Sequence, residues 1–278
     1  MPTIQQLVVL LYTAVAVMQQ VAEPIAKGPI DQRVWAHACT LSAELKKAAG
    51  ATQGLINRIG DAVEKQQLLS ARLNVFIQAQ ATSKRKKELL PMLYSLADTT
   101  TQAARLTKEP LATALLYAAH ATYEAGRLDE FGLMLLKMGA TSSATCLATD
   151  DGTAAEKAAV KTSFAGCEAK FGAALAATNP SELPDAAELL KPADDVQQNT
   201  GSGASDCPLT DGTGTETLLH GSGVLGTTTF KAANDKIEIT TASAKFKKTA
   251  AATSAETANQ GLQAAHYFLK ELKDSDTS

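Results

Sequence analysis

The residues of this chain whose types could carry chemistry are its four cysteines, its four histidines and the carboxylate pair Asp129–Glu130. The cysteines are Cys39, Cys146, Cys167 and Cys207. None stands in a C-x-x-C pair and no histidine cluster accompanies them, so their spacing does not build a zinc site. His220 stands near Ser222 in "HGSG", but a nucleophilic triad also needs a carboxylate to orient the base, and this Gly-rich stretch has none. His37, His120 and His266 fall in expected helices and read as helix-interface residues. Asp129 and Glu130 are neighbours on a helix, so their side chains point about 100° apart and do not share a site. The chain has no G-x-S-x-G, no P-loop, no H-E-x-x-H and no strand-linked G-x-G-x-x-G. The expectation is a protein that is not an enzyme, with no catalytic residues, no metal and no cofactor.

Stepping from residues to elements, the 278 positions suit one large domain or two small ones. Apolar residues are 45% of the chain but aromatics only 5%, and alanine is abundant, which favours closely packed helices. A net charge of -3 gives no basic footprint for nucleic acid. Leu7–Met18 is an uncharged apolar run, short for a membrane span, and reads as a signal-peptide core with cleavage near Ala22. Residues 1–22 are therefore expected to be removed, leaving 23–278 as the exported chain. Export makes the four cysteines two disulfides, with three connectivities open at this point.

From Asp31 to about Gln80 the pattern predicts one long helix, roughly 75 Å from end to end. Leu41, Leu45, Ala48, Thr52, Leu55, Ile59, Ala62, Gln66, Leu69, Leu73 and Phe76 repeat at 4-3 spacing, a coiled-coil seam. Ala49, Ile56, Val63 and Ile77 add a third column, which calls for a third helix. "SKRKKE" (Ser83–Glu88) reads as the solvated end of a hairpin. A second helix is expected from about Glu88, with Pro91 in its first turn and small seam residues facing the first helix. Pro110 should kink or divide it, and Gly126 should end it. A new helix is then expected to begin with Asp129 and Glu130 in its first turn. Past Gly139 the chain turns rich in Gly, Thr, Ser and Asp and reads as loops and short strands, with a strand at Lys236–Thr241. A last helix is expected over Ser254–Lys273, with Ser254 as its N-cap and Leu262, Ala265, His266, Leu269 and Leu272 on its apolar face. The predicted fold class is mainly α. It is an elongated bundle on a long antiparallel coiled-coil hairpin, with a third helix and a small irregular/β lobe.

The opening "WAHACTLSAELKKAAGA" of the first helix, then "AGRLDEF", "CLATDDG", "DCPLTDGT" and "LLHGSG" in that order, resemble the N-terminal domain of trypanosome variant surface glycoproteins. The resemblance covers nearly all of the exported chain. It implies the pairs Cys39–Cys167 and Cys146–Cys207. It implies a cell-surface, flagellar-pocket or endosomal glycoprotein held by a C-terminal lipid anchor beyond the "KDSDTS" at which this chain ends. The stretch between Cys167 and the last helix is short for the family. That favours its shortened, serum-resistance members, which neutralise a host trypanolytic apolipoprotein. An ordinary coat protein of antigenic variation and a helical nutrient receptor are the alternatives, and a homodimer is compatible with each. Leu68 and Val75, one heptad apart outside the seam and among polar neighbours, are the candidate partner-binding residues. The competing expectation covers them with the Gly/Thr-rich segment between Cys207 and Phe230.

Overall fold

The structure is a computed structural model. It describes residues 29–79, 82–138, 144–149, 154–156, 160, 164–168, 183, 189, 196–199, 207, 209, 229–240, 243–254 and 261–276. The expected leader and the "HGSG" stretch lie outside them. The helices are α1 (Gln32–Ala79), α2 (Ser83–Leu106), α3 (Lys108–Lys137), α4 (Ala165–Glu168) and α5 (Gly261–Asp276). The strands are β1 (Ala144–Ala148), β2 (Ala154–Glu156), β3 (Val196–Asn199), β4 (Thr229–Ala232), β5 (Ile237–Thr240) and β6 (Ser243–Phe246). The mainly α class, the long hairpin, the third helix and the small β portion are all present.

The chain divides into two compact units. The first holds residues up to Ala36, Leu133–Thr162 and Val196–Phe246. Asp31 starts α1 there. Its carboxylate accepts from the Arg33 amide at 2.8 Å, an N-cap that also places negative charge at the positive end of the helix. Ile30 bridges to Leu147, and the Trp35 indole donates to the Ala148 carbonyl at 3.0 Å. β1 and β2 form an antiparallel pair, and a four-stranded sheet runs β3-β6-β5-β4. In β5, Ile237 and Ile239 are fully buried while Glu238 and Thr240 are half-buried, the period-2 signature that "KIEITT" carries. Cys146 pairs with Cys207 in this unit.

The second unit holds His37–Gly132, Ser163–Asp195 and Lys247–Ser278. Here α1 and the α2–α3 strand of helix run antiparallel. Lys86 Nζ donates to the Gln78 carbonyl at 3.5 Å, Thr52 Oγ1 to Ala114 at 3.0 Å and Ser42 Oγ to Ala125 at 3.3 Å, so numbers rise on one side as they fall on the other. Thr52 thus spends its hydroxyl on the opposite helix. The apolar face expected of the last helix is buried in α5 at Leu262, Ala265, His266, Leu269 and Leu272. Ser254, its expected N-cap, lies at a bend outside the helix, which the described residues begin at Gly261.

Several boundaries differ from expectation. The basic run is not a turn: α2 starts at Ser83, before Glu88, because Lys and Arg are good helix formers and their charges stay in water. Pro91 is therefore inside α2 rather than in its first turn. Pro110 does mark a division, with a turn at Thr107 and Pro110 in the first turn of α3, where no backbone donor is missed. Gly126 does not end a helix. α3 runs unbroken through Gly126 and Arg127, since buried Ala125, Leu128 and Phe131 hold the helical period across the glycine.

The seam also drifts. Leu41, Leu45, Ala48 and Thr52 are buried as expected, but Leu69 and Phe76 are 57% and 44% exposed. The less exposed column becomes Ile59, Val63, Gln66, Ser70, Leu73 and Ile77. A helix with 3.6 residues per turn slips about 20° per heptad against a strict 3.5 repeat, enough to exchange one column for the next. Ile56, placed in the third-helix column, is 40% exposed.

Cys39 pairs with Cys167 of α4 in this unit. Gly166 makes that approach possible: a Cβ there would overlap the Cys39 carbonyl and touch the Ala43 side chain at 3.4 Å. Gly166→Ala should therefore lower stability by ~1–3 kcal/mol through backbone overlap, read as an earlier thermal midpoint with both disulfides retained.

Candidate binding surface

Most of the described chemistry-capable side chains are spent on holding helices together. Lys46, with a side chain 2% exposed, reaches Asp129 Oδ2 at 2.7 Å and donates to the carbonyls of Gly166 at 2.9 Å and Cys167 at 3.3 Å. Its ammonium donors are thus saturated. Ser42 Oγ donates to Asp129 Oδ1 at 2.5 Å. Burial pushes the Asp129 carboxyl upward, and the hydrogen bonds from Lys46 and Ser42 hold that rise back. This is an interhelical clamp beside the Cys39–Cys167 bridge. It answers why "GRLDEF" carries a carboxylate at 129: it is a partner for Lys46, not a helix start.

The remaining candidates do not converge. His120 stacks on Phe268 of α5 with ring centroids 5.7 Å apart, His266 is buried, and His37 is exposed. Burial raises the Tyr117 phenol, with the Glu44 charge adding to it. Burial likewise raises Glu124, against the pull of Arg127. Arg127 bonds the Tyr123 hydroxyl at 3.1 Å and lies over that ring at 5.5 Å. Among the described residues, no three His, Cys, Asp or Glu side chains group as metal ligands.

What the arrangement offers instead is surface. Leu68 and Val75 are 48% and 66% exposed; most of the Gly/Thr-rich segment between Cys207 and Phe230 lies outside the described residues. Every large exposed hydrophobic residue described lies between Ile56 and Tyr123, on α1, α2 or α3. Met92 and Tyr94 at 59% and 72% and Leu115 and Leu116 at 51% and 45% were not singled out by the sequence reading. The signal was present for one pair: Leu116 and Tyr123 repeat at a heptad, as Leu68 and Val75 do.

Residues 9–277 match the family described as trypanosome variant surface glycoprotein, A-type. The chain belongs to the trypanosome variant surface glycoprotein family. Among solved structures, "Structure of MITat 1.1" is similar with a TM-score of 0.57 at 19% identity, over 90% of this chain and 69% of that one. At that identity the likeness is one of fold. No curated protein sequence is a significant match. The chain is thus the N-terminal domain of a surface glycoprotein. Its two disulfides are the pairs that the family resemblance implies. No described helix is long and apolar enough to cross a membrane.

Two measurements probe the carboxylates of α3, Asp129 in the clamp and the buried Glu124 outside it. Asp129→Ala leaves Lys46 buried without its counter-ion and should cost ~3–5 kcal/mol, read by denaturant unfolding. Glu124 is raised in the same direction as Asp129, by burial. Its folded value is raised, so its stabilising contribution is complete below the ordinary glutamate value of about 4.3 and lost as pH rises through the raised value. Glu124→Gln should remove that loss, flattening the dependence of the melting temperature on pH above about 4.3.

Proposed function

We propose that this variant surface glycoprotein works by occupying and shielding the parasite surface, and not by catalysis. The reading is that of an exported coat protein of immune evasion and antigenic variation, held at the membrane by a lipid anchor. The observation that carries it is the hairpin itself, a long pair of helices whose large exposed apolar residues face outward and invite close neighbours. A second copy is the natural neighbour. Self-association through Leu90, Tyr94, Leu115 and Leu116 forms a homodimer and covers that surface.

A serum-resistance role is the second reading. The exposure of Leu68 and Val75 favours it, because both are open to a helix of the host trypanolytic apolipoprotein. In that reading the protein acts in the flagellar pocket or endosomal system.

Sedimentation of the purified chain should give about twice the monomer mass, reduced toward monomer by Tyr94→Ser with Leu116→Ser at unchanged melting temperature. A monomer at high concentration would count against the coat dimer. Capture of the apolipoprotein from human serum, abolished by Leu68→Ser with Val75→Ser, would establish the second reading. No capture would remove it.

A further inference from the structure

One exposed face of α1 carries a pattern that neither shielding nor self-association uses. Arg58, Ala62, Lys65, Leu69, Arg72 and Phe76 repeat at 4-3 spacing, and all six are exposed. At 100° per residue they share an arc of about 80°, centred about 100° from the column that turns inward. The column alternates in kind. Its cations stand one heptad apart at 58, 65 and 72, and its apolar residues one heptad apart at 62, 69 and 76. The strip is about 27 Å long.

The charge is one-sided. Between Arg58 and Ala79 the only carboxylates are Asp61, at the strip's edge, and Glu64, well away from it. From Lys65 to Lys87 there is no acidic residue at all, while Arg72, Lys84, Arg85, Lys86 and Lys87 add positive charge toward the hairpin end. Neither Lys65 nor Arg72 has an ion pair among the described residues.

We propose that this strip docks an acidic amphipathic helix of another protein, its apolar heptad column seated on Ala62, Leu69 and Phe76 and its carboxylates paired with Arg58, Lys65 and Arg72. The spacing supplies the register: heptad-spaced apolar residues flanked by heptad-spaced charges are what a coiled-coil partner reads. Charge selects the occupant. A second copy using this strip would set cations against cations with no acid to match them. A membrane surface would favour residues gathered at the hairpin end, whereas this column runs along the axis for five turns (~5.4 Å each).

The test uses the full chain and two synthetic helices of about three heptads, both with Leu at a and d. One carries Glu at e and g, the other Lys. Fluorescence anisotropy should show that the acidic helix binds, that the basic one does not, and that added salt weakens binding. Lys65→Glu with Arg72→Glu should weaken the acidic helix by at least roughly tenfold and create binding to the basic one, a gain that misfolding cannot produce. Leu69→Ser with Phe76→Ser should weaken it too, at an unchanged melting temperature. Binding of neither helix, equal binding of both, or indifference to charge reversal would overturn the proposal. So would loss of self-association in the Leu69/Phe76 variant, or binding of phosphatidylserine vesicles in place of the acidic helix.

Discussion

The clamp at one end of α1 sets the register on which the hairpin depends. Cys39 is tied to Cys167, Lys46 to Asp129 and two carbonyls of α4, and Ser42 to both Asp129 and Ala125. Within about two turns of helix, a covalent bond, a buried ion pair and hydrogen bonds fix α1 against α3 and α4. A buried pair of this kind contributes more to specificity of arrangement than to net stability, because desolvation of both charges offsets much of their attraction. What it secures is registry. Once Ser42 and Lys46 meet Asp129, Thr52 meets Ala114, and the two sides of the hairpin run past one another in one alignment.

Away from the clamp, burial thins. From Leu55 to Ala79 only Ile77 of α1 is buried, although the stretch is rich in Leu, Ile, Val and Phe. Two helices can cover one stripe on each other, not three columns. The apolar residues left over are the surface that a coat, a dimer or a docked helix can use. The same property that makes this stretch weakly held in the single chain makes it available for association.

Much of this was legible in the sequence. Helix α1 was readable to within a residue because its apolar period is long and unbroken by proline. The strand at Ile237–Thr240 was readable from alternation, and the cysteine pairs from family resemblance. The misreadings have three physical causes: packing that overrides a local signal, helix propensity in a charged run, and helical drift. Gly126 looked like a helix end, but buried neighbours on both sides carry α3 through it. Lys84–Lys87 looked like a turn, but four helix formers continue a helix when nothing opposes them. A strict 4-3 count placed Leu69 and Phe76 inside, and the slow drift of the helix put them outside. Lys46–Asp129 was invisible, since no sequence spacing announces a partner 83 positions away.

Amide hydrogen exchange along α1 of the chain held monomeric by Tyr94→Ser with Leu116→Ser tests this account most directly. Slow exchange should be confined to the clamped stretch around Cys39–Thr52, with markedly faster exchange from Leu55 to Ala79 that slows when a partner covers the hairpin. Uniform slow exchange over the whole of α1 in a monomer would contradict it, because the distal helix would then be held by contacts within the chain itself.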